Sequence, residues 1–115
     1  GKEHAKWSPG LCTYKYYPII EVNASGEEAK KIVEVCPRGV LKLEGERVVV
    51  KDLLNCNLCK ACEEVSNKIK VRGDDSKFLF YFESWGQLDK KEVILEAIRI
   101  LKEKLKKFSE EFSKL

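Results

Sequence analysis

The last 27 residues, Asp89–Leu115, contain neither glycine nor proline. An uninterrupted helix of that length is a rod about 40 Å long at 1.5 Å rise per residue. Asp89 is placed to cap it, with Glu92 three residues on as the reciprocal partner of a capping box. Ile94, Ile98, Leu101, Leu105, Phe108, Phe112 and Leu115 follow a 4-3-4-3-4-3 spacing, which is three heptads of apolar a and d positions. Val93, Ala97 and Ile100 widen that stripe in the first half, as expected where a helix lies on its own sheet. Beyond Leu101 it narrows to a single seam between lysines and glutamates. FLFYF at 78–82, the most strand-like run in the chain, reaches only about 17 Å at 3.4 Å per residue. The helix outruns it, so part of the seam needs cover from elsewhere. The seven seam residues are therefore expected to form a subunit interface.

The rest of the chain reads as short strands and helices. Residues 11–22, LCTYKYYPIIEV, are aromatic and β-branched, with Pro18 pushing the strand to an edge or splitting it. Ser25 and Glu28 form a second capping-box pattern, opening a helix that runs to about Val35 and stops at Cys36-Pro37. Residues 40–51 alternate on either side of Gly45-Glu46, a type II′ hairpin signal. Residues 52–58 read as a loop and 60–68 as a short helix. A strand ending in the polar turn Gly73-Asp74-Asp75-Ser76 follows, and then FLFYF, whose continuous apolarity suggests burial on both faces. No tandem repeat or flexible linker interrupts the series.

At 115 residues, with 43% hydrophobic and 36% charged side chains, the chain is expected to fold as one domain or two small modules. That composition excludes a disordered tail and a disulfide-dense mini-protein. No run approaches the roughly 18 apolar residues of a membrane span, and the start is no signal peptide, so the expectation is a cytoplasmic protein. The 22 basic and 19 acidic residues are interspersed, without the one-sided basic patch of a nucleic-acid binder. The Lys/Glu bias is the kind seen in high-temperature proteins. No methionine is present, so residue 1 is not a translation start, and a processed chain or an excerpt is expected.

Five cysteines carry the chemistry. Cys56, Cys59 and Cys62 stand three apart, and Cys36 is followed by Pro37. The bacterial ferredoxin run is C-x2-C-x2-C-x3-C-P, in which the fourth thiolate serves the other cluster of a pair. Laid on this chain twice, the template keeps one complete set. The first run has Gly26, Ala29 and Ile32 where cysteines would stand, and keeps only Cys36. The second keeps Cys56, Cys59 and Cys62 but has Ser66-Asn67 for its Cys-Pro. Cysteines three apart on a tight loop can turn three sulfurs toward one cubane face, and a remote fourth closes the cage. One [4Fe–4S] cluster on Cys36, Cys56, Cys59 and Cys62 is expected. Zinc, which usually takes separated C-x2-C pairs, and disulfides are the alternatives. Cys12 lies outside the pattern and reads as a buried strand residue, and His4 as structural. No glycine-rich phosphate loop, acidic two-metal triad or nucleophile–base pair is present.

The segment Gly1–Pro9, GKEHAKWSP, resembles the HAKW-type segment of the alpha-like assembly subunits of RNA polymerase. Phe82-Glu83-Ser84-Trp85-Gly86, followed by the long amphipathic helix, resembles the end of their dimerisation domain. A ferredoxin-like module between the two is typical of the archaeal members of this family, which are similar to the bacterial alpha amino-terminal domain and to the eukaryotic third-largest subunit. The likeness covers nearly the whole chain in order. The resemblance implies an α+β fold: a ferredoxin-like iron–sulfur module inserted into part of an alpha-type dimerisation and assembly domain with a long C-terminal helix. The expected divisions are 1–22, 23–75 and 76–115. It also implies a non-catalytic role in DNA-directed RNA polymerase, pairing with subunit L and joining subunit N as a platform for the large catalytic subunits, without sequence-specific DNA contact. The cluster in such a protein would be structural or redox-sensing. A small electron-transfer ferredoxin is the alternative, against which the heptad helix and the erased second site both count.

Overall fold

The computed structural model describes residues 3–115, a mixed α and β chain that ends in one long helix. Seven main elements follow in order: β1 (Gly10–Val22), α1 (Gly26–Val35), β2 (Leu41–Glu44), β3 (Arg47–Val50), α2 (Ala61–Val65), β4 (Ile69–Ser84) and α3 (Lys90–Ser113). Short 3-10 turns occupy Ala5–Trp7 and Leu53–Asn55. β1 pairs with β4, and β2 with β3. Two compact units result: Tyr14–Leu79, and Phe80–Leu115 with the chain up to Thr13.

The Tyr14–Leu79 unit holds nearly all the buried apolar surface. Ala24, Ala29, Ile32, Val40, Leu41, Val48, Cys56, Ile69 and Val71 form one core, with Ile20, Val22, Val33 and Val50 packed against it. Ala29 and Ile32, two of the three positions that the erased cysteine run left behind, lie at its centre with no exposed surface. The β2–β3 hairpin is antiparallel with Leu41 opposite Val50 and Glu44 opposite Arg47. Gly45 alone in its turn takes a positive φ, 63°, the pattern of the expected type II′ turn.

Several expectations are corrected by tertiary contacts. Ser25 caps α1 by position, but no side-chain capping bond forms. Glu28 is engaged instead by the Ser66 hydroxyl at 2.6 Å and the Lys68 ammonium at 2.8 Å, and the Gly26 N–H donates to the Glu46 carbonyl. α2 ends at Val65, before the expected 68, because Ser66 is extended and its Oγ accepts from the Lys68 N–H, turning the chain toward β4. β1 is unbroken through Pro18, which a two-stranded ribbon permits because each strand has a free edge.

β4 also runs straight through Gly73–Ser76, where the sequence pattern predicts a turn. Gly73 is there for close approach: a Cβ on it would come within 2.5 Å of the Tyr16 Cβ on the paired strand. FLFYF is not buried on both faces either. Phe78, Phe80 and Tyr81 are exposed, since a two-stranded ribbon offers few neighbours. Within Tyr14–Leu79, Phe78 packs edge-on to Tyr14 and tilted against Tyr16, with centroids 6.1 and 5.3 Å apart. Cys12 is exposed rather than buried, and His4 caps the first 3-10 turn by accepting from the Lys6 N–H.

α3 keeps the expected start and cap, but the widened stripe of its first half is not packed on the sheet as expected: Ala97 and Ile100 are exposed. Asp89 and Glu92 close a reciprocal capping box, and Val93 is the one residue of the helix that is buried.

Candidate metal centre and helix seam

Cys36, Cys56, Cys59 and Cys62 line a single pocket in the Tyr14–Leu79 unit, narrow and partly open to solvent. Its wall is completed by Ile20, Val40, Leu41 and Val71, with Arg38, Asn57 and Lys60 at the polar side. Cys36 ends α1, where Pro37 forbids further helix. Cys56 ends the Leu53–Asn55 turn and is buried against the core. Cys59 is exposed, and Cys62 sits half-buried on α2.

The loop between Cys56 and Cys62 is tightly wound. Leu58 and Lys60, on either side of Cys59, both have φ of 61°, a left-handed conformation that ordinary side chains seldom adopt. The Asn57 carboxamide accepts from the Cys59 N–H at 3.3 Å and closes the turn between them. The Val40 N–H points at the Cys36 Sγ at 3.4 Å. Burial pushes the Cys62 thiol above its ordinary value; a backbone hydrogen bond opposes that shift and negative charge on Cys36, Cys56 and Cys59 adds to it.

All five cysteines are free thiols. Among the described residues no three His, Cys, Asp or Glu side chains converge on a single-ion site; the four thiols are spread around the pocket wall. By chemistry the wall suits a soft thiolate-bound group: four sulfurs, an apolar surround, one N–H directed at a sulfur and two cations to offset thiolate charge.

The second feature is the seam on α3. Ile94, Ile98, Leu101, Leu105, Phe108, Phe112 and Leu115 are all exposed, Leu105 and Phe108 by 68% and 70%. Phe108 and Phe112 stack on each other one turn apart, with centroids 6.2 Å apart. Arg99 pairs with Glu96 and Glu103, and Lys106 with Glu110, which leaves the apolar row free of charge partners. No helix among the described residues is long and apolar enough to cross a membrane.

A helix that keeps its seam bare has the form of half an interface. Residues 18–105 match the RNA polymerase Rpb3/Rpb11 dimerisation domain. The chain belongs to that family. It is 40% identical over 110 residues to DNA-directed RNA polymerase subunit Rpo3 of Methanosphaera stadtmanae, covering 90% of this chain and 41% of the relative. Rpo3 of Methanothermobacter thermautotrophicus is 44% identical over 107 residues, at 90% and 40% coverage. A eukaryotic relative, subunit rpac1 of RNA polymerases I and III from Dictyostelium discoideum, is 37% identical over 123 residues, at 100% and 35%. The chain thus spans about two fifths of the length of these relatives.

Sequence reading found the four cysteines and the seam. It missed Arg38, which lines the pocket, and Asn55 and Lys15 behind it, which hold the cysteine loops. The only signal available was position: Arg38 is two residues past Cys36, and Asn55 immediately precedes Cys56.

Proposed function

We propose that this chain is part of a non-catalytic, alpha-type assembly subunit of an archaeal DNA-directed RNA polymerase. It pairs through the α3 seam with a small Rpb11-type partner, subunit L. With subunit N, the pair forms the platform on which the large catalytic subunits gather. The observation that carries this reading is an uncovered heptad seam on the terminal helix of a chain that belongs to the Rpb3/Rpb11 dimerisation family. Burying a large aliphatic or aromatic side chain contributes about 1.5–3 kcal/mol, so seven of them can support a stable pairing.

Within the same protein, Cys36, Cys56, Cys59 and Cys62 would hold one [4Fe–4S] cluster. The complete four-cysteine set and its gathering on one pocket support this assignment, and the seam counts against an electron-carrying ferredoxin, which has no use for it. Cys36 at the end of α1, Cys56 and Cys59 on their loop and Cys62 on α2 would hold such a cluster by four thiolate ties. Ile20, Val40 and Val71 would shield it from water, while Cys59 is exposed. Site formation of this kind adds directly to folding stability.

Two measurements test the proposal. Leu105→Asp in the whole subunit is expected to weaken pairing with the small partner about 100-fold while leaving the isolated subunit's melting unchanged; equal loss of both would place the seam in the subunit's own core. Iron and acid-labile sulfide in protein purified without oxygen are expected at about four each per chain. Zinc, or paired thiols without metal, would remove the cluster and leave the assembly reading standing on the seam.

A further inference from the structure

The two halves of the cysteine set come from turns twenty residues apart in sequence, and a side-chain clamp built on Arg38 at the pocket's edge joins those turns. Arg38 Nη2 donates to the Asn55 Oδ1 at 2.7 Å and Arg38 Nε to the Asn55 carbonyl at 3.3 Å. Asn55 Nδ2 returns a bond to the Arg38 carbonyl at 2.6 Å. A third segment reaches the Cys56 turn: from β1, Lys15 Nζ donates to the Leu54 carbonyl at 2.6 Å and to the Cys56 carbonyl at 2.7 Å. Three of these five hydrogen bonds join the Cys36 turn to the Cys56 turn, the two from Lys15 tie the Cys56 turn to β1, and none of the five involves a sulfur.

We propose that Arg38 and Asn55 are positioning residues that set the separation of the Cys36 and Cys56 turns before a thiolate-bound group arrives, while Lys15 anchors the Cys56 turn to β1. This inference rests on the cluster reading above. Geometry and entropy both favour it. Cys56, Cys59 and Cys62 are held together by their own loop, whereas Cys36 has to be brought to them across the hairpin. Fixing that distance in advance lowers the ordering cost of four-point binding. The guanidinium suits the task because its planar fork can serve the Asn55 carbonyl and carboxamide at once, which a lysine ammonium cannot do with the same fixed geometry. The clamp lies at the surface, so its removal has little effect on the core formed by Ile32, Val40 and Ile69.

The test compares wild-type protein with Asn55→Ala, Arg38→Lys and Lys15→Met, each reconstituted without oxygen from ferrous iron and sulfide. The readouts are iron per chain, the rate of iron loss to a chelator, and melting of the metal-free form. Partners outside the ligand shell typically change metal affinity by about 10–100-fold. The expected result is iron loss at least about tenfold faster in Asn55→Ala, with metal-free melting nearly unchanged. Arg38→Lys, which keeps the charge but not the fork, should resemble Asn55→Ala. Iron loss at the wild-type rate in Asn55→Ala would overturn the proposal while the cluster reading stood. A parallel fall in metal-free melting would also overturn it, by making the clamp an ordinary stability element. Wild-type protein that takes up no iron would overturn the cluster reading and this inference together.

Discussion

The two compact units invest their apolar residues in opposite ways. Tyr14–Leu79 turns Ile32, Val40, Ile69 and their neighbours inward into a closed core with the cysteine pocket on its flank. The unit containing α3 buries Val93 and leaves Ile94 to Leu115 along the seam exposed. The first arrangement is what a module needs to fold on its own contacts, with a bound group as reinforcement. The second is what a chain needs when its fold is completed by another chain. On the proposed reading, apolar side chains serve stability in one region and recognition in the other, and burial distinguishes the two sets.

That contrast can be broken most forcefully at Cys59. Its side chain is exposed and outside the core, so replacing it costs nothing in packing. Cys59→Ser is expected to lose the cluster and loosen the Tyr14–Leu79 unit while α3 stays helical, read by iron content and by amide exchange. Metal-site binding energies in small zinc domains reach about 10 kcal/mol, which makes this the largest effect. Unchanged exchange after cluster loss would show that the core alone holds the unit.

Next in size is Ile32→Ala, which opens a cavity at a fully buried position. A loss of about 2–5 kcal/mol in that unit's stability is expected by chemical denaturation, with partner pairing through α3 unaffected. A smaller effect belongs to α3 itself. Asp89→Ala removes the side chain of a complete capping box and should cost about 1 kcal/mol of helix stability, visible as fraying of the first turn by circular dichroism or amide exchange.

The smallest effect is one of pH. Hydrogen bonds from Lys68 and then Ser66 hold the Glu28 carboxyl below its ordinary value of 4.5. A carboxylate whose folded-state value is depressed adds stability that is fully present above its unfolded value and disappears as pH falls through the folded one. The Tyr14–Leu79 unit should therefore lose stability as the solution is acidified below about pH 4.5, and Glu28→Gln should flatten that slope. An identical slope in the variant would assign the acid sensitivity to other groups.

Much of this contrast was legible in the sequence, and the exceptions have a common cause. Heptad spacing and the Asp89 cap placed α3, because both are local patterns with a fixed period. Cysteine spacing brought out the four pocket residues, because Cys56, Cys59 and Cys62 share one loop and Cys36 carries a proline stop. The errors occurred where a distant residue decides. Glu28 serves Ser66 and Lys68 rather than its own helix, thirty-eight and forty residues away. FLFYF reads as interior from its composition, yet it lies on a two-stranded ribbon whose sides are open. Arg38, Asn55 and Lys15 were silent for the same reason, since nothing near them in sequence marks the partner each one finds.

The central claim is that the α3 seam is half of a heterodimer. Native mass spectrometry of the whole subunit, alone and mixed with a small Rpb11-type partner, tests it most directly. The account predicts a monomer alone and a one-to-one complex in the mixture, with the complex lost in Leu105→Asp. A protein that stays monomeric in the mixture, or that pairs with its own copy through the seam, would contradict it.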